Sequence, residues 1–85
     1  MTYVHRILQV VEFKYRVVTG PMVDQIMGTT SLARARFNAD IKDVIIYCRA
    51  ANSGARKKAK EHEKMYKQIH NLKIEIVFVE VKDKV

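Results

Sequence analysis

Residues 18–44 read VTGPMVDQIMGTTSLARARFNADIKDV, and this stretch predicts two short helices separated by a glycine. Thr19 can cap the first helix, and Pro21 suits its first turn, where no backbone donor is needed. Gly28 can adopt the left-handed conformation that ends a helix, and residues 29–31 then offer a new N-cap. A helix, a glycine turn and a second helix carrying arginines are typical of a helix-turn-helix.

The apolar residues of this stretch are spaced as two packed helices require. They are Val23, Ile26 and Met27 in the first helix and Ala33, Phe37, Ile41 and Val44 in the second. Residues 3–16 also place apolar side chains at helical spacing, which predicts an amphipathic helix that packs against the other two. The sequence therefore predicts an N-terminal three-helix core of the helix-turn-helix or winged-helix kind over residues 1–43.

The second half of the chain predicts a strand-helix-strand element over residues 44–85. Residues 43–49 are β-branched and aromatic, as in a strand, and residues 54–70 lack glycine and proline after their first position, as in a helix. Residues 72–82 form a second strand that is apolar on both faces, so it needs cover on both. We expect it to pair in parallel with residues 44–48 or with its symmetry mate in a dimer. The predicted fold class is α+β, in a single domain spanning residues 1–85.

The size and net charge of the chain limit the kinds of partner that it can bind. Eighty-five residues give a core that is marginal by itself, which favours a homodimer. A formal net charge of +7 indicates a polyanionic partner such as nucleic acid, or an anionic membrane surface. The basic helix lacks the large apolar face that membrane-surface binding requires. The sequence has no apolar run of about 20 residues and no signal-like start, so we expect a cytoplasmic protein.

The residue types that commonly act in catalysis or bind metals are present, but their spacing fits neither role. The histidines at positions 5, 62 and 70 and the single cysteine lack metal-ligand spacing, and the three glycines are isolated. Cys48 lies in an apolar run and is expected to be a buried, inert thiol. We therefore expect no enzyme activity, no metal and no cofactor.

The candidate DNA-binding residues of the helix-turn-helix follow from its geometry. A recognition helix in the major groove reads bases through its outward side chains. Opposite the apolar stripe of the second predicted helix lie Ser31, Ala35, Asn38 and Lys42, and Arg34 and Arg36 lie on its two flanks. Thr29 and Thr30, with Ser31, are expected to bind phosphate at the helix start. Arg34 is the strongest candidate for base contact, because arginine can make a bidentate contact to guanine.

Residues 5–41, HRILQVVEFKYRVVTGPMVDQIMGTTSLARARFNADI, resemble the N-terminal helix-turn-helix of transcriptional regulators of the DeoR and WYL-domain type. Val18-Thr19 matches the start of that family's pattern, Ile26-Met27 its apolar positions, and residues 28–31 its glycine-containing turn. Asn38-Ala39 stands where the family has Asp-Leu. The resemblance implies a double-stranded DNA-binding regulator with its second helix in the major groove.

A weaker resemblance covers residues 43–82, which look like the start of a serine recombinase catalytic domain. Residues 44–47 and Arg49 fit its first strand and arginine, but Ala51 stands where the nucleophilic serine belongs. The resemblance implies a shared strand-helix-strand shape without catalysis.

The predicted helix over residues 54–70 is strongly basic. Its positive residues are Arg56, Lys57, Lys58, Lys60, Lys64 and Lys67, against Glu61 and Glu63. Residues 56–60 either neutralise DNA phosphates or form a solubilising surface. The resulting hypothesis is a transcriptional regulator or a phage- or plasmid-type accessory DNA-binding factor. The alternative is a protein-interaction module, an inhibitor or adaptor, that binds an acidic protein. The positive charge would also suit RNA binding, but the aromatic residues mostly fall on apolar stripes and offer no exposed surface on which bases could stack.

Overall fold

The computed structural model describes the chain over residues 6–82 and its side chains from residue 9 onward. The strands are β1 (Arg6–Val18), β2 (Ala39–Ala51) and β3 (Glu75–Glu80), and the helices are α1 (Gly20–Phe37) and α2 (Ser53–His70). All three strands are parallel, in the spatial order β1-β2-β3. The described fold is therefore β-α-β-α-β, and the predicted three-helix or winged helix-turn-helix core is wrong.

The first predicted helix is largely a strand. Its residues 3–5 lie outside the described part of the chain, and the remainder forms β1. Consecutive β-branched and aromatic residues in this segment fit a two-residue period as well as a helical one. The strand is selected by pairing, because Val10 lies beside Val44 and Phe13 beside Tyr47 in β2.

The predicted glycine turn lies inside a continuous helix. Gly28 has a helical conformation, and none of the glycines in residues 6–82 has a positive φ. Val23, Ile26 and Met27 are buried on one face of α1, and Thr30 continues that face one turn later. Burial of a single continuous face outweighs the roughly 1 kcal/mol that an interior glycine costs a helix.

The second predicted helix extends beyond the end of α1 at Phe37. Asn38 ends α1 in the left-handed conformation, with φ 47° and its backbone N–H donated to the Arg34 carbonyl. Ile41 and Val44 then lie in β2, where β-branched side chains fit the pleated sheet. Because no second helix follows Gly28 within α1, the structure contains no recognition helix there.

The strand-helix-strand prediction for the second half agrees with the structure. β2 and β3 pair in parallel, from Asp43 beside Glu75 to Cys48 beside Glu80. α2 connects them and begins where the Asn52 side chain accepts a hydrogen bond from the Ala55 N–H at 2.8 Å. Local capping and strong helix formers are sufficient to define this helix.

Both helices cover the same face of the sheet. One core joins residues of α1 and α2 to alternate residues of the strands, which are Val44, Ile46 and Cys48 of β2 and Ile76 of β3. The helices start close together, since a Cβ built on Gly20 would lie 3.4 Å from the Gly54 carbonyl oxygen. The prediction of a buried Cys48 is confirmed.

No helix of residues 6–82 covers the opposite face of the sheet, and we call it the open face. It carries Val11, Phe13, Tyr15 and Val17 of β1, Asp43, Ile45, Tyr47 and Arg49 of β2, and Glu75, Val77, Val79 and Val81 of β3 and its extension. The Phe13 and Tyr47 rings stack with centroids 5.1 Å apart. The expectation that aromatic residues are hidden on apolar stripes is therefore wrong for β1. Neither helix has the length and apolarity to cross a membrane.

Candidate nucleic-acid interface

Four lysines lie on one exposed side of α2. They are Lys57, Lys60, Lys64 and Lys67, at spacings of three, four and three residues, and we call them the lysine stripe. The core side of the same helix carries Ala55, Ala59 and Tyr66, so the stripe points away from the sheet. At a rise of 1.5 Å per residue it extends about 15 Å along the helix axis.

The carboxylates of α2 are engaged away from the lysine stripe. Glu63 Oε2 accepts a hydrogen bond from the Ile76 N–H of β3 at 2.9 Å, and Glu61 lies 3.8 Å from the Lys58 ammonium. No ion pair joins a stripe lysine to a carboxylate within residues 6–82. The four ammonium groups of the stripe are therefore not held in ion pairs within this part of the chain.

The remaining basic residues at the start of α2 contact other elements of the fold. Arg56 forms an ion pair with Glu80 at 3.3 Å and lies 5.6 Å from the centroid of the Phe78 ring. Lys58 lies 3.6 Å from Asp24 of α1. Both belong to the predicted phosphate-binding set, but their charges already have acidic partners.

Asp24 joins the two helices. His62 Nε2 lies 2.7 Å from its carboxylate, beside the contact from Lys58. The hydrogen bond from His62 is the main cause that holds the pKa of Asp24 below its ordinary value, with a smaller contribution from the Lys58 charge. These contacts fix α2, and hence the lysine stripe, relative to α1.

The residues predicted to bind phosphate at a helix start are in the middle of α1. Thr29 and Thr30 donate their hydroxyl hydrogens back to the carbonyls of Gln25 and Ile26, at 3.2 and 2.8 Å. Thr30 is buried, and Ser31 is exposed within the same helix. Backbone amides in a helix interior are bonded to carbonyls four residues earlier, so this position offers no free donors to a phosphate.

The predicted base-reading residues do not share a surface. Arg34 is half-buried, 6.0 Å from the Tyr66 ring centroid, and its buried Nε has no hydrogen-bond partner in the described chain. Arg36 is exposed and lies 5.8 Å from the Phe37 ring. Asn38 ends α1, and Lys42 is exposed in β2 where the pairing with β1 shifts by one residue. One helix cannot present them together to a groove.

Two of the predicted phosphate-binding residues, Lys57 and Lys60, lie on the lysine stripe. The stripe also contains Lys64 and Lys67, which the predicted interface omitted. The spacing of three and four residues along α2 was the available signal, because such positions share a helix face. The described residues hold no group of three or more histidine, cysteine or acidic side chains that could bind a metal ion.

Comparisons with protein-family models, curated proteins and solved structures gave no match to this chain.

Proposed function

We propose that this protein binds the phosphate backbone of double-stranded DNA through the lysine stripe of α2. The observation that carries the proposal is the placement of four exposed lysines on one side of a helix whose own carboxylates are engaged elsewhere. Each lysine that approaches a phosphate releases condensed counterions, which drives binding at low salt. The formal net charge of +7 adds long-range attraction to the polyanion.

This binding is expected to be largely independent of base sequence. Arg34 packs on Tyr66 and Asn38 ends α1, so neither stands beside the stripe. Lysine is a compact charge that positions a protein on the backbone, whereas base recognition needs groups aimed at base edges. The proposal therefore replaces major-groove reading by a recognition helix with backbone neutralisation.

The test compares two double variants that remove the same charge. Lys60→Gln/Lys64→Gln changes the centre of the lysine stripe, and Lys42→Gln/Lys73→Gln changes lysines that lie outside it. Fluorescence anisotropy with a 20-base-pair duplex at about 50 and 200 mM salt measures affinity and its salt dependence. We expect the stripe variant to bind about 10- to 100-fold more weakly at low salt. Its plot of log K against log salt should be shallower by about 2, since each lost phosphate contact removes about 0.9 from that slope.

The control variant should keep the affinity and the salt slope of the unchanged protein, apart from the small loss that a lower net charge causes. Equal losses in both double variants would contradict the stripe and indicate a diffuse charge effect. No binding to any duplex at 50 mM salt would end the DNA proposal. Binding to polyglutamate that is as tight as binding to DNA would instead favour an acidic protein as the partner.

A cytoplasmic location belongs to this proposal, because it gives the protein access to DNA. Fluorescence microscopy of a tagged protein checks it, and a signal confined to a membrane or to the medium would contradict it.

A further inference from the structure

The open face exposes a group of neighbouring apolar side chains to water. Six of its side chains are between 41 and 76 % exposed, and they are Val11, Phe13, Tyr15, Val17, Val77 and Val81. An exposed aromatic side chain alone presents on the order of 100 Å². Together these side chains present about 500 Å², which lies in the range of patches that mark interaction sites.

The area is suited to association with a surface of the same size. Two such faces packed together would bury about 1,000 Å² of apolar surface, and their polar ends would add to it. A specific protein interface needs about 1,000 Å² or more in total. Sheets that carry β-branched and aromatic residues pack face to face at about 10 Å with their strands roughly aligned.

The charges on the open face lie at opposite ends. Asp43 and Glu75 are register neighbours near the amino ends of β2 and β3. Arg49 lies six residues further along β2, which is about 20 Å at the rise of a strand. The apolar residues Ile45 and Tyr47 occupy the strand between them. Asp43 accepts a hydrogen bond from Gln9 at 3.2 Å and Glu75 lies 3.7 Å from the Lys73 ammonium, so the apolar centre of the face is flanked by polar groups that have partners in their own chain.

We propose that the open face is covered by the open face of a second copy of this chain. A two-fold axis between the two sheets places the apolar centre of one face against that of the other. The same patch then serves both subunits, as a two-fold interface requires. This inference concerns a surface on the opposite side of the molecule from the lysine stripe and does not depend on DNA binding.

The test measures the mass of the full chain by sedimentation equilibrium between about 1 and 100 μM. We expect the unchanged protein to show twice the 9.9 kDa chain mass over part of this range. Val77→Lys should raise the dimer dissociation constant about 100-fold or more, because each dimer would bury two unpaired ammonium groups. Leu32→Lys is the matched control, since Leu32 is an exposed apolar residue of α1 on the other side of the molecule. Its dissociation constant should equal that of the unchanged protein.

A second substitution tests the part of the open face that β1 contributes. Phe13→Lys should weaken the dimer to a similar extent, because Phe13 is 60 % exposed on this face and its replacement would bury unpaired ammonium groups. Circular dichroism confirms that each variant remains folded. A monomer at 100 μM overturns the proposal, and uptake of a hydrophobic dye by that monomer indicates that a different molecule covers the face. A dimer that Val77→Lys and Phe13→Lys leave unchanged overturns it in favour of another interface.

Discussion

Asp24 forms the polar contact between the two helices. Its carboxylate receives His62 at 2.7 Å and Lys58 at 3.6 Å, and these two partners are on α2. A single exposed ion pair contributes little to stability. A carboxylate with two partners contributes more, and protonation of the carboxylate removes both interactions. At the scale of the residue, the contact predicts a pH dependence of stability.

The pKa of Asp24 is lowered by folding, so its stabilising contribution is present above the unfolded value of 3.8. It is lost as the pH falls through the lower folded pKa, because the protonated carboxyl group no longer favours the folded state. Asp24→Asn should therefore reduce the free energy of unfolding at pH 7, and this difference should shrink below about pH 4.

Urea unfolding of both proteins at pH 7, 4 and 3 measures that difference. Glu75→Gln is the control, because Glu75 pairs with the exposed Lys73 at 3.7 Å and joins no two helices. It should change stability less at pH 7. An Asp24→Asn difference that stays constant from pH 7 to pH 3 would refute the role of this carboxylate.

At the scale of the element, the continuity of α1 is testable at Gly28. A Cβ built at this position meets no atom within 4 Å, and the residue is helical. Gly28→Ala should therefore stabilise the protein by about 0.5 to 1 kcal/mol, because alanine loses less backbone entropy in a helix. Thermal or urea unfolding measures this gain.

Gly20→Ala is the matched control in the same helix. Its new Cβ would lie 3.2 Å from the Lys58 side chain and 3.4 Å from the Gly54 carbonyl oxygen, so the gain should be smaller or absent. A turn with Gly28 in the left-handed conformation makes the opposite prediction, since alanine there is strained. Loss of about 1 kcal/mol in Gly28→Ala would therefore restore the two-helix interpretation.

At the scale of the whole molecule, the two proposals together predict a bridge between duplexes. The helices lie on one face of the sheet and the proposed dimer interface on the other. The two lysine stripes of a dimer would therefore lie on opposite outer surfaces, separated by two sheets at about 10 Å and two helical layers. A single straight duplex cannot contact both.

The dimer should therefore hold a labelled duplex on beads that carry a second, unlabelled duplex. Val77→Lys should abolish this capture while it keeps the affinity for one duplex, because only the dimer interface is changed. Lys60→Gln/Lys64→Gln should reduce capture and single-duplex binding together. Capture that persists in the monomeric variant would show that one chain binds two duplexes.

The sequence by itself determined the elements whose signals are local. Asn52 caps α2, the residues after Gly54 are strong helix formers, and residues 43–49 of β2 and the β3 segment are β-branched runs of strand length. Interactions within a few residues are sufficient for caps and helix propensity. The net charge, the buried Cys48 and the basic character of α2 also follow from the sequence alone.

The tertiary structure decided the elements in which local signals compete. The pattern of the β1 segment fits a helix or a strand. The strand is selected because β1 pairs with β2, which then lies in the middle of the sheet. Gly28 remains helical because Val23, Ile26 and Thr30 bury one continuous face. The Arg34 side chain lies against the Tyr66 ring of α2, a helix that begins 19 residues later in the chain. Contacts of that range are set by burial and pairing across the fold, and no spacing within the sequence encodes them.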